Sequence, residues 1–158
     1  MSRRWLHLDQ TFLRRIGTIA RALDSISNIE FKEIDLARGQ YLYLSRITEN
    51  PGITQMQLSE LLCVDKTTTN RAINRLVERE IIVKQTDPIN RKNQRLYSSK
   101  KGQILYETLS RESDYSTQVA LQGLKPDEVE QINVLLDKVT QNVVQDWKSV
   151  KKGKVRLY

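Results

Sequence analysis

The chain keeps a helical apolar period over most of its length and breaks it clearly once, between Glu80 and Ser99. Before that break, Leu8, Phe12, Ile16, Ile19, Ala20, Leu23 and Ile26 recur at steps of three and four, which predicts an amphipathic helix over 8–26. A second helix is predicted over Asp35–Thr48, carried by Leu36, Tyr41, Leu44 and Ile47 and stopped by Asn50-Pro51-Gly52. Thr54 with Gln57 three residues on reads as a capping box that opens a short helix through Leu62. Asp65 is a suitable N-cap for the next helix, Lys66 to about Arg79. After the break come helices over Lys100–Leu121 and from Pro126 to about Trp147. The second of these has proline at its first position and Val129, Ile132, Leu136, Val139 and Val143 on one stripe. The tail from Lys148 carries cations without acids and is expected to stay mobile.

Inside the break the residues change character. Ile81-Ile82-Val83 is β-branched, Thr86-Asp87-Pro88 turns, and Arg95-Leu96-Tyr97-Ser98 is short and strand-like. Helices followed by a β-hairpin and two more helices outline a mainly α protein with a small β-hairpin wing, a winged helix-turn-helix. The charge falls on the same place. Lys66–Lys101 holds ten cations (Lys66, Arg71, Arg75, Arg79, Lys84, Arg91, Lys92, Arg95, Lys100, Lys101) and three acids (Glu78, Glu80, Asp87). Ten minus three equals the net charge of +7 for the whole chain, so the remainder balances. A localised excess of cations suits a polyanion, because neutralising phosphates releases their counterions.

At about 100° per residue, the Lys66 helix turns Thr69, Ala72, Ile73, Leu76 and Val77 to one side. Thr67, Thr68, Arg71, Asn74 and Arg75 fall on the other. Arg can bond guanine bidentately, Asn matches adenine, and Thr offers a hydroxyl and a methyl to base edges. First-turn residues reach bases when such a helix docks in a major groove. Thr67, Thr68 and Arg71 therefore suit readout, with Lys66, Asn70 and Arg75 nearer the backbone. The hairpin adds Asn90, Arg91, Lys92 and Arg95, groups able to enter a minor groove or hold phosphates. The plainer reading of this loop is a solvated turn held by an Asp87–Arg91 ion pair, and the two are compatible.

Other functions find little support. There is no glycine-rich phosphate loop and no nucleophile elbow, and the single His7 and single Cys63 make no metal cluster, so neither an enzyme nor a cofactor is expected. Cys63 reads as a small, partly buried, inert thiol consistent with a cytoplasmic protein. No apolar run approaches the ~18–20 residues of a membrane span. A winged-helix adaptor that binds proteins without DNA is the alternative, and it would not be expected to concentrate the whole net charge on one unit.

Ile53 to Leu76, with Gln55, Leu58, Leu61, Asp65, Thr68 and Arg71 in sequence, resembles the helix-turn-helix of the MarR (multiple antibiotic resistance regulator) family. Ile82-Val83, Asp87-Pro88-Ile89-Asn90-Arg91-Lys92 and Lys101-Gly102 resemble its wing. The resemblance implies a homodimer on a pseudo-palindromic operator and repression relieved by a small aromatic or phenolic effector. Three positions depart from the pattern: Glu80 stands for a glycine at the helix end, Asn90 for an Asp, and Ser98 for a strand Leu.

Two long amphipathic regions at opposite ends of the chain could fold back on their own lobe, but a common partner surface is the better match. Residues 1–34 and 103–158 are thus expected to form a dimerisation region around a DNA-binding lobe at 35–102. Trp5, His7, Phe12, Tyr41 and Tyr43 lie on or near the first two helices. Their ordinary reading is core or dimer packing; the resemblance offers a second, with Phe12, Tyr41 and Tyr43 lining an effector pocket.

Overall fold

The computed structural model describes residues 11–36 and 39–157. Its elements run α1 (Thr11–Glu30), α2 (Gln40–Glu49), β1 (Ile53–Thr54), α3 (Gln55–Leu61), α4 (Lys66–Glu78), β2 (Ile82–Thr86), β3 (Gln94–Ser98), α5 (Lys100–Leu121) and α6 (Pro126–Lys151). The expected mainly helical fold with a small β wing is present, with one addition. The sheet has three antiparallel strands in the order β1-β3-β2, pairing Ile53 with Leu96 and Ile82 with Ser98. A two-residue strand leaves no alternation to read, so β1 escapes a pattern search.

The helix ends explain most boundary differences. After α1, Leu36 donates to the Phe31 carbonyl and Asp35 to that of Lys32, with Asp35 left-handed at φ 58°. Gly39, also at positive φ, then caps α2. The helix predicted from Asp35 therefore starts at Gln40, and the α1 start predicted at Leu8 lies outside the described residues. Thr54 and Gln57 form the expected capping box, and Asp65 caps α4 through Thr68. Ile81, expected in a strand, instead closes the end of α4. β2 continues through Lys84–Thr86, an exposed polar stretch without an apolar signal.

The core lies in one lobe. Leu36, Leu44, Ile47, Leu58, Ile73, Leu76, Ile81, Ile82 and Leu96 are sealed there, and Leu105 and Leu109 bring the first half of α5 onto it. The seam between wing and α5 is tight. A Cβ at Gly102 would lie 2.2 Å from the Ile81 carbonyl oxygen and 2.7 Å from Ser98 Oγ. Ser99 caps α5 by accepting from the Gly102 amide and donates to the carbonyls of Glu80 and Ile81. Ser98, half-buried, gives this crossing the room that a leucine would fill.

Beyond the lobe the helices run on with little around them. α1 buries only Ser27, and α6 buries nothing. α6 reaches Lys151, past the predicted Trp147. Its end is closed by Gly153 and Lys154 donating to the carbonyls of Val150 and Ser149, while Arg156 returns to Asp146 at 3.0 Å. The basic tail expected to be mobile is thus partly helical and folded back. Among the described residues, no helix is long and apolar enough to cross a membrane.

Candidate nucleic-acid interface

α4 is set by its two ends. At the start, the Asp65 carboxylate accepts from the Thr68 amide at 2.8 Å and from the Thr68 hydroxyl at 2.6 Å. Those bonds hold its carboxyl below the usual aspartate range, the hydroxyl contributing most. At the end, Glu80 takes φ 58° where the resemblance anticipates glycine. Its amide donates to Val77 and the Ile81 amide to Leu76, while the Ile81 and Leu76 side chains are both fully buried. This is the Schellman arrangement, formed here without glycine. Arg79 bolts that end to the rest of the lobe. Its guanidinium donates to the Asp35 and Ile34 carbonyls and to Gln40 Oε1 and pairs with the Asp35 carboxylate at 3.2 Å. Lys101 Nζ holds the Arg79 carbonyl from α5.

The two faces of α4 divide as expected. Thr69, Ile73 and Leu76 are buried, with Ala72 and Val77 half-buried beside them. Lys66, Thr67, Thr68, Asn70, Arg71 and Arg75 are exposed. Two of the named groups are already engaged. Thr68 spends its hydroxyl proton on Asp65 and keeps its methyl and lone pairs. Asn74 is half-buried, and its Oδ1 accepts from Lys84 Nζ at 2.9 Å. The side chains of Lys66, Thr67, Asn70, Arg71 and Arg75 make no hydrogen bond or ion pair among the described residues.

The wing corrects one expectation. Asp87 pairs with Arg95 at 2.8 Å, and Arg91 has no partner among the described residues. Asp87 Oδ1 also accepts from the amides of Ile89 and Asn90, and these bonds come first in holding its carboxyl below the usual range. Arg95 donates onward to the Gly52 carbonyl, so its guanidinium ties the wing to the turn before β1. Asn90, where the resemblance anticipates Asp, accepts from the Lys92 amide inside the loop. Arg91 and Lys92 are left exposed at the tip, unpaired among the described residues. Removing Arg79, Lys84, Arg95 and Lys101, all held by protein groups, from the ten cations leaves six: Lys66, Arg71, Arg75, Arg91, Lys92 and Lys100. A cleft of about 300 Å³ runs between the start of α4 and the wing, with Lys66 on one bank and Lys92 on the other. Helix and wing thus border one surface.

The remaining aromatic and thiol expectations divide. Tyr41 lines a cavity beside α1, and its hydroxyl donates to Asp24 Oδ1 at 2.6 Å. Tyr43 sits in the core beneath α4, where burial pushes its phenol up from the usual range. Phe12 is exposed on α1 and does not line that cavity; Trp5 and His7 lie outside the described residues. Cys63 is exposed, a correction to the partly buried thiol expected, and it takes φ 53° in the turn between α3 and α4. Among the described residues no cluster of three metal-ligating side chains occurs.

An exposed helix seated by a helix-turn-helix, beside a hairpin that carries free cations, defines a winged helix-turn-helix protein. The comparisons with known proteins agree. A model described as the MarR family matches residues 36–93. The uncharacterized HTH-type transcriptional regulator YybA of Bacillus subtilis (strain 168) is 53% identical over 146 residues, covering 92% of this chain and 97% of its own length. A solved MarR family regulator from Listeria monocytogenes, complexed with a 26mer DNA, is 50% identical with a TM-score of 0.90, over 93% of this chain and 98% of that one. The solved transcriptional regulator SlyA is 54% identical with a TM-score of 0.83, over 87% and 97%. The chain belongs to the MarR family of transcriptional regulators.

Proposed function

We propose that this regulator binds double-stranded DNA sequence-specifically as a homodimer, with α4 in the major groove and the β2–β3 loop at the adjacent minor groove of a pseudo-palindromic operator. The observation that carries this reading is the set of unpaired groups on one surface: Thr67, Asn70, Arg71 and Arg75 on α4, and Arg91 and Lys92 on the wing. Groups without protein partners are available to bases and phosphates; Arg95, tied to Asp87 and Gly52, positions the wing instead. The relative complexed with DNA supports the same partner class. Homodimerisation is supported by the apolar stripes of α1 and α6 and by the match between two-fold proteins and palindromic sites. The reading extends to repression relieved by a small molecule held between the arms and the lobe, where the cavity beside Tyr41 lies.

The test is binding of duplexes selected from a random pool, followed by anisotropy across a salt series. Arg71→Ala should weaken the selected operator by about 1–3 kcal/mol and blur one base position. Changing Arg91 and Lys92 together to Ala should weaken all duplexes alike and lower the salt slope by about two per lobe. Parent-like binding by both variants would reject the interface; absence of duplex binding even at low salt would favour a protein-binding adaptor.

A further inference from the structure

The cavity beside Tyr41 measures about 760 Å³ and is bounded by α1, α2, α5 and α6. Leu23, Phe31, Tyr41, Leu109 and Leu121 give it an apolar wall, in which the Phe31 and Tyr41 rings lie 5.3 Å apart, tilted by 53°. Its polar groups are unevenly disposed. Tyr41 donates to Asp24, Tyr106 to Glu49 Oε1 at 3.2 Å, Ser116 to Glu112 Oε1 at 2.6 Å, and Thr117 to the Ser113 carbonyl at 2.7 Å. Each of these four hydroxyls has turned its proton onto the protein, so it offers a visitor lone pairs rather than a donor.

Charge points the same way. Asp24, Glu49, Glu112 and Asp114 line the space, against one cation among the described lining residues, Arg46, whose guanidinium already rests on Glu49. Both phenols register the imbalance. Burial pushes Tyr41 up first, Asp24 adds through its hydrogen bond and charge, and Glu112 adds further. Tyr106 is raised by burial and then by Glu49.

We propose that this cavity binds a small arylalkylammonium ion, its ring against Phe31 and Tyr41 and its ammonium among Asp24, Glu112 and Asp114. The inference rests on the effector reading above and gives it a charge, opposite to that of a phenolic acid. An ammonium is attracted both to these carboxylates and to aromatic faces. A carboxylate or phenolate would meet like charge along this rim. The acidic rim also favours a small cation over the apolar stripe of a second copy, which could not satisfy these carboxylates.

Three probes of one shape test the idea on the full-length protein without DNA: tryptamine (ammonium), 3-indolepropionate (carboxylate) and 3-methylindole (neutral), each by titration calorimetry at fixed ionic strength. Tryptamine should bind at least tenfold tighter than 3-indolepropionate. The Asp24→Asn, Glu112→Gln double variant should lose about tenfold for tryptamine and nothing for 3-methylindole, with its sedimentation mass unchanged. If 3-indolepropionate binds as tightly as tryptamine, or the double variant keeps parental tryptamine affinity, the charge assignment falls while the effector site stands. If none of the three binds the parent, the effector reading falls with it. If the double variant changes assembly mass instead of ligand affinity, the cavity is a subunit contact and the proposal is overturned.

Discussion

The lobe and the arms are built from similar apolar residues and come to opposite ends. In the lobe, Leu44, Ile47, Ile73 and Leu76 repeat at helical spacing and are fully buried. On α6, Ile132, Leu136 and Val143 repeat at the same spacing and remain 38%, 42% and 57% exposed. On α1, Ile19 and Ile26 are exposed in the same way. Periodicity therefore says that a helix has a face to hide, and not where the covering surface is. The lobe finds its cover within the chain; on the proposed dimer reading, the arms find theirs in a second copy. The lobe should then tolerate loss of the partner, and the arms should not.

The sharpest way to break that contrast is a charge on the α6 stripe. Leu136→Glu removes a side chain whose full burial is worth about 1.5–3 kcal/mol, and a two-fold interface meets the change twice. Placing carboxylates there adds desolvation to that loss. The expected result is a monomer by sedimentation at micromolar concentration and at least a hundredfold loss of operator affinity, with the lobe still folded by circular dichroism. A variant that stays dimeric and binds normally would show that this stripe covers nothing. The next largest effect belongs inside the lobe. Gly102→Ala drives a methyl to 2.2 Å from the Ile81 carbonyl oxygen, a backbone atom that cannot swing aside. The wing and α5 must separate, which should destabilise the lobe by about 3 kcal/mol in denaturant melts, the upper part of the range for overpacking. A loss under 1 kcal/mol would mean that the seam is looser than drawn.

What was legible in the sequence follows from the same physics. Local rules held where local bonds decide: Thr54 with Gln57, Asp65 before Lys66, and Pro126 at the first turn of α6 all act as their residue types suggest. The buried and exposed faces of α4 followed its period. Long-range bonds were not legible. The partner of Asp87 is Arg95, eight residues away across the hairpin, because paired strands bring those side chains together and leave Arg91 at the tip. Arg79 looked like one more free cation until the chain placed Asp35 and Gln40 beside it. Thr68 and Asn74 looked like free readers, although a cap and a neighbouring strand had use for their polar atoms. Composition counts cations; only the fold says which of them are spent.

A smaller effect, of the opposite sign, is expected at the end of α4. Glu80 holds a left-handed conformation that costs an L-residue about 1–2 kcal/mol, against about 0.5–1 kcal/mol of extra chain entropy that glycine loses on folding. The first outweighs the second, so Glu80→Gly should stabilise the lobe by about 0.5–1 kcal/mol in urea melts. The Ser99 hydroxyl bonds the Glu80 carbonyl, not its side chain, and survives the change. Destabilisation would mean that the glutamate side chain holds a contact outweighing its backbone strain.

The smallest expected effect is confined to the wing and to acid. Backbone amides of Ile89 and Asn90, and then Arg95, hold the Asp87 carboxyl below its usual range. A group whose folded pKa is depressed stabilises fully above its unfolded value, about 3.9 for aspartate, and loses that contribution as pH falls through the folded value. The Ile89 and Asn90 amides should therefore lose hydrogen-exchange protection relative to the lobe core as pH drops below about 4. In Asp87→Asn the amide oxygen still accepts from both, but the ion pair to Arg95 is gone and nothing titrates. Its wing should be less protected at neutral pH and change less on acidification, after exchange rates are corrected for intrinsic pH dependence. Superimposable profiles for parent and variant would mean that Asp87 does not hold the wing, and that the free Arg91 and Lys92 owe their position to something else.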